Sequence, residues 1–324
     1  MVEKGFMKDI TLEELLEAGC HFGHQVTRHN PKSRDFVFEA RDNIHIIDLA
    51  KTKEGLDEAT SFIRNLAKKD GSTIIVVGTK RQAQPIVIEQ VEKLKKEGIP
   101  GIYYVTNRWI GGILTNFPEV LKNFKKLKEL GYRLQSDDEK AKYTKKEVGM
   151  WEKSRQKLES FYGGICDMER TPDALFIVDT HMEDLAVRES MRTNTTTVGI
   201  VDTNADPAVI NYPIPANDDA AASLQLIISR IADAWAEGKQ ECMDQAEKIK
   251  KQEDKLIAEN AKKTESNIKV TSNFSIDNKT KEVKLKTIEK ESIVEVKPKS
   301  PEKKSVVKEK KPKKEKTEKT DLTN

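Results

Sequence analysis

Residues 21–32 read HFGHQVTRHNPK, placing three histidines and two basic residues within twelve positions, directly after Cys20. Thiolate and imidazole are good zinc ligands. Yet Cys20 and His21 are adjacent and cannot easily turn toward one ion, and no Cys-x-x-Cys pair occurs anywhere in the chain. No metal is therefore expected here. Donation to phosphates and sugars suits His21, His24, Gln25, Arg28 and Lys32 better, on an exposed loop that Asn30-Pro31 keeps non-helical. An ordinary solvated loop would use the same residues, and that alternative stays open.

Two further segments offer donors. VGTKRQAQ sets Lys80 and Arg81 where an apolar run gives way to a helical pattern, the sheet edge at which α/β proteins bind ligands. There is no G-x-G-x-x-G and no Walker A loop, so no nucleotide cofactor is expected. NRWIGGILTNF concentrates Asn107, Arg108, Trp109, Thr115 and Asn116 around two glycines. An arginine can grip phosphate in bidentate fashion and a tryptophan can stack on a base. A tight turn with a packed Trp would read the same way.

VDTHMED and VDTNADP bring Asp179, His181 and Asp202 toward that edge, where an enzyme would keep acid-base groups. This is the strongest sign of catalysis, and it supports a rival reading as an α/β enzyme or nucleotide-binding protein. Asp and Thr after strands are also ordinary turn and cap formers. Asp202, Asn204 and Asp206 imitate the start of a calcium loop, but Pro207 stands where that loop needs Gly. No catalytic residue is assigned.

The elements that must position these groups alternate between buried strand and helix. TIIVVGT (73–79), IYYVT (102–106), ALFIVDT (174–180) and TTVGIVDT (196–203) are continuous apolar runs of the kind buried on both faces of a parallel sheet. A helical pattern follows each of them, so an α/β fold with a mainly parallel sheet is expected. NIHIID (43–48) reads as one more short strand. TLEELLEAG carries a capping-box pattern at Thr11 and Glu14 and stops at Gly19. Between 102 and 174 lies far more chain than a crossover requires. Phe117, Leu121, Phe124 and Leu127, then Val148, Trp151, Leu158 and Phe161, recur at steps of three and four, the seam of an antiparallel helical hairpin inserted at about 115–165. Its Lys-rich outer faces suit either solvent or phosphate.

Charge divides the chain. Residues 1–240 hold 34 Lys and Arg against 37 Asp and Glu, whereas 241–324 hold 23 against 17. Any nucleic-acid binding by the 1–240 domain must therefore come from local clusters. The extension from 241 to 324 is Lys/Glu-rich with Phe274 as its only aromatic residue, and too little apolar area to offset ordering. It is expected to be largely disordered, with helix persisting to about Asn260. Three scattered cysteines fit a reducing compartment, and no run approaches a membrane span. A cytoplasmic protein without membrane contact is expected.

HFGHQ...NPK, IHIIDLAKT, VGTKRQA, NRWIGGILTNF, DALFIVDT, GIVDTNADP and IPANDD, in this order over roughly residues 8–239, together resemble the bacterial ribosomal protein S2 family, the second protein of the small subunit. The resemblance implies a flavodoxin-like parallel sheet with a protruding coiled-coil hairpin. It also implies a structural, non-enzymatic role: binding small-subunit rRNA between head and body and helping to dock ribosomal protein S1, with no cofactor and no small-molecule substrate. His29 stands where the family usually has Trp, Ser33 where it usually has Met, and Ile113 where Thr or Met is more usual.

Overall fold

The structure, a computed structural model, describes residues 9–273. The chain divides into a compact unit through Ala258 and a second from Glu259. All the residues that form the site belong to the first.

The capping box forms as expected at the start of α1 (Leu12–Glu17): Thr11 and Glu14 satisfy each other's backbone N–H groups. The chain then departs from the expected loop. Phe22–Gln25 is a strand, β1, pairing antiparallel with β3 (Ile44–Ile47), which also pairs with β2 (Val37–Arg41). The histidine segment is thus one edge of a small sheet. Gly23 permits this, because a Cβ there would stand 2.7 Å from the Thr203 methyl and 3.0 Å from the His45 carbonyl.

The main sheet is parallel. Its strands are β4 (Ile74–Val77), β5 (Ile102–Val105), β6 (Ala174–Ile177), β7 (Thr196–Val201) and β8 (Tyr212–Pro215), in the order β5-β4-β6-β7-β8. Numbered within the sheet this is 2-1-3-4-5, the flavodoxin-like order. The sequence hid β8, since YPIP holds two prolines; they are tolerated because the strand lies at the sheet edge.

Alternation along the buried strands feeds two cores. Ile74, Val76, Phe176, Val198 and Ile214 pack against α2 (Leu49–Ala67), α3 (Ala83–Lys96) and α8 (Ala221–Asn273), where Trp235 is fully buried. Ile75, Val77, Leu175 and Ile177 face the opposite core, with Trp109, Ile113 and α7 (Asp184–Thr193). Complete burial of an aliphatic side chain is worth roughly 1.5–3 kcal/mol, so these strands anchor everything at their ends.

The insert between β5 and β6 is a hairpin of α4 (Phe117–Gln135) and α6 (Lys145–Tyr162). Between them lies a short helix, α5 (Asp137–Ala141), capped by Ser136. Phe124 meets Tyr162 edge-on at 5.6 Å, closing the base of the seam. Helix α8 runs past the boundary read at 240 and past Asn260. The rest of the Lys/Glu-rich extension, from 274, lies outside the described residues.

Candidate functional site

The C-terminal ends of β4, β6 and β7 and the start of α8 converge on an open cleft of about 570 Å³, lined by His24, Arg28, Lys80, Asp179, His181, Met182 and Asn204. Its floor is a charge cluster. Lys80 Nζ lies 2.9 Å from Asp179 Oδ2, 2.8 Å from Asp218 Oδ1 and 2.8 Å from Asp219 Oδ1. Burial works against the lysine charge, but Asp218, Asp219 and Asp179 outweigh it and hold the Lys80 pKa above the ordinary lysine value. Asp218 is buried, and burial, with Asp179 and Asp202 nearby, pushes its pKa up to about 7 while Lys80 pulls the other way. Asp219 is more open. Burial raises it, but the Lys80 hydrogen bond and charge carry it below the usual carboxylate range.

His24 joins this cluster from β1. Its Nδ1 stands 3.2 Å from Asp202 Oδ2 and its Nε2 3.6 Å from Asp219 Oδ2, and the Asp202 hydrogen bond raises its pKa above the normal imidazole value despite burial. Thr203 fixes the approach. Its Oγ1 accepts from His24 N at 2.9 Å, and its carbonyl accepts from Asn30 N at 2.8 Å and from the buried Ser33 hydroxyl at 2.7 Å. A small hydroxyl at 33 therefore ties the segment to the end of β7. The His29 ring lies 4.7 Å from that of His45.

The site residues expected from sequence fall into three groups. Gln25, Arg28, Arg81, Asn107, Arg108, Thr115 and Asn116 are exposed, as a phosphate contact requires, and His21 is half-buried. Lys32 is exposed, with its Nζ 2.6 Å from Asp206 Oδ2 in a surface pair. Lys80 as a phosphate grip is corrected: three carboxylates within 2.9 Å already hold its half-buried ammonium. Trp109 is corrected as well, because the ring is 2% exposed in the core beneath the loop and presents no face to a base.

Glu189 was missed. Its carboxylate, buried on α7, accepts from Gly112 N at 2.7 Å, Leu114 N at 3.1 Å and Thr115 N at 3.3 Å, and so shapes the whole GGILT turn. Gly112 sits at φ +101°, where a side chain would be strained. A glutamate in a helical pattern gave no sign that it faced inward.

The carboxylates of the rival reading are occupied too. Asp179 Oδ1 accepts from the backbone N–H of His181 at 3.0 Å and Met182 at 2.8 Å, while Asp202 Oδ1 accepts from the Thr203 hydroxyl at 3.1 Å. His181 is exposed. Among the described residues, His24, Asp218 and Asp219 bring ligand atoms within 4.8 Å of one another and could hold a cation, one that would compete with Lys80. Cys20 takes no part; it is buried, with Ser223 as its side-chain partner.

On the small sheet Phe22, Phe38 and Ile44 are exposed, Phe38 at 71%, and Val26, just after β1, is exposed as well. Isolated apolar side chains are normal on surfaces; three on one small sheet with a fourth beside it form an apolar patch.

Compared with known proteins, residues 15–238 match a family model described as ribosomal protein S2. Over 235 residues the chain is 47% identical to the small ribosomal subunit protein uS2 of Coprothermobacter proteolyticus, an alignment covering 72% of this chain and 84% of that protein.

Proposed function

The chain belongs to the ribosomal protein S2 family, and from that premise we propose that it binds small-subunit rRNA through exposed arginines around the sheet-edge cleft. As a member of that family it is a ribosomal protein of the small subunit. In this reading it lies between head and body, works in the cytoplasm without turnover, and supports the docking of ribosomal protein S1.

One contrast carries the RNA assignment. Lys80 is spent on three carboxylates, whereas Arg28, Arg81 and Arg108 are exposed with no carboxylate in ion-pair range among the described residues, and Lys32 is exposed with a single surface partner. Cations paired inside the protein lend no counterion release to RNA binding; unpaired ones do. Asn107, Asn116 and Gln25 are exposed neutral donors suited to sugar and phosphate, His21 adds another, and Thr115, whose N–H and hydroxyl both donate to Glu189, holds the shape of the loop beside them. For the S1 contact, the exposed side chains of the small sheet supply the apolar area that protein interfaces bury at their centre.

Two measurements test these parts. Full-length protein titrated against small-subunit rRNA should bind with log affinity falling linearly in log salt, and salt-independent binding would speak against phosphate contacts. Particles reconstituted without the chain should retain less S1 than complete ones; equal S1 content would remove the docking role.

A further inference from the structure

The small sheet holds a pair of imidazoles that the cleft does not use. His45 lies in β3, the central strand, and its ring centre stands 4.7 Å from that of His29, with the two planes 50° apart. Neither ring lines the cleft. Both positions are fixed by backbone. His45 pairs with Ala40 of β2, and its neighbours Ile44 and Ile46 pair with Gln25 and Phe22 of β1. His29 N donates to the Val26 carbonyl, and the next residue, Asn30, donates from its N–H to the Thr203 carbonyl at 2.8 Å.

Three ring nitrogens of this pair, His29 Nδ1, His45 Nδ1 and His45 Nε2, are buried with no hydrogen-bond partner among the described residues. A neutral imidazole carries one donor and one acceptor, so His45 leaves both unmet within the protein. Buried polar atoms of this kind call for a water or an ion. Burial, with His29 as the second cause, lowers the His45 pKa below the ordinary imidazole value. Its ring is therefore neutral at neutral pH, the form that binds metal.

The spacing suits an ion. An imidazole at the usual zinc–nitrogen distance of about 2.0–2.1 Å has its ring centre about 3.2 Å from the metal. Two such rings with centres 4.7 Å apart subtend about 95° at a shared ion, between the octahedral and tetrahedral angles. A ring-on-ring contact alone accounts for the distance but leaves all three nitrogens unmet.

We propose that His29 and His45 form a site for a transition-metal dication of the zinc type, which closes the segment after β1 onto β3. Imidazole suits such ions, whereas Mg2+ and Ca2+ take oxygen ligands. Among the described residues, the group of three ligand atoms close enough to share an ion is that of His24, Asp218 and Asp219, so no third acidic, His or Cys side chain closes the set around His29 and His45. An ion there keeps coordination positions open to water. The site stands independently of rRNA binding.

The test titrates zinc chloride into full-length protein purified without a histidine tag, reading calorimetry, melting temperature and the assigned nitrogen NMR signals of the five histidines. Zn2+ should move the ring signals of His29 and His45 and raise the melting temperature, and magnesium chloride should do neither. His29→Phe and His45→Phe each keep an aromatic ring and remove a ligand. Each should weaken this binding by more than about tenfold, the least that losing even a ligand's own hydrogen-bond partner costs. Should either variant fail to fold, the wild-type signals still decide. If Zn2+ moves His24 and leaves His29 and His45 in place, the ion sits in the cleft and the proposal is overturned. If no histidine signal moves up to millimolar Zn2+, or if both Phe variants bind as wild type does, the pair is a ring stack only and the site is refuted.

Discussion

The ammonium of Lys80, at the end of β4, lies 2.9 Å from the carboxylate of Asp179, at the end of β6, so two neighbouring strands are joined by charge where their backbone pairing stops. Asp218 and Asp219 complete the pairing from the turn before α8. Removing the cation would leave buried carboxylates uncompensated. Lys80→Met should cost about 3–5 kcal/mol of folding stability, read as a lower denaturant midpoint at unchanged slope. A loss below about 1 kcal/mol would show that the cluster behaves as solvated surface.

The same cluster sets a pH dependence. Between the ordinary value of 3.8 and about 7, the folded chain keeps a proton on Asp218 that the unfolded chain has released. Stability from this group is therefore present at acid pH and is lost as pH rises toward 7. His24, whose pKa is raised mainly by the Asp202 hydrogen bond, acts in the same direction from 6.5 upward. Relative to Asp218→Asn, which cannot ionise, wild type should lose melting temperature from pH 5.5 to pH 8. A rising or flat difference contradicts this assignment.

Glu189 gives a prediction about order rather than charge. Glu189→Ala orphans the N–H groups of Gly112, Leu114 and Thr115, at about 1–3 kcal/mol for each buried donor left unmet. Faster amide exchange should appear across residues 110–116, together with weaker rRNA binding through a displaced Arg108. Glu189→Gln keeps an acceptor and should recover part of both. Wild-type exchange in the alanine variant would remove Glu189 from this role.

Arg28, Arg81 and Arg108 carry the cleft contact. Changing all three to Gln should reduce the salt slope of rRNA binding by about 2 while leaving thermal stability near wild type, since none is buried or ion-paired among the described residues. A variant that unfolds, or one whose slope is unchanged, counts against the assignment.

Trp109 belongs to a different class of effect. Trp109→Ala should destabilise the fold by about 3–5 kcal/mol through a cavity in the core. Trp109→Phe should be milder, and at a temperature where it remains folded its salt slope should match wild type. A reduced slope in folded Trp109→Phe would restore the ring to the RNA interface.

Much of this architecture was legible in sequence because buried parallel strands are written as unbroken apolar runs, and the hairpin as a seam at steps of three and four. The capping residues Thr11 and Glu14 announce α1 in the same local way. What escaped was non-local. The histidine strand β1 was masked because its partner β3 lies twenty residues on, and two prolines disguised β8. At the site, residue type gave the chemistry but not its direction. Lys80 and Arg81 are neighbours, yet one turns into a nest of carboxylates and the other into solvent. Asn217 accepts from Asp219 N and Ala220 N, which leaves Asp218 and Asp219 for Lys80. Such partitions depend on where the chain returns, which spacing alone does not encode.

The most direct test of a structural role in the small subunit is sedimentation of tagged full-length protein from a cell lysate through a sucrose gradient at moderate salt, with every fraction blotted. Co-migration with small subunits and translating ribosomes, released by high salt or by RNase, is the expected result. Protein confined to the soluble fractions at the top of the gradient would contradict the account.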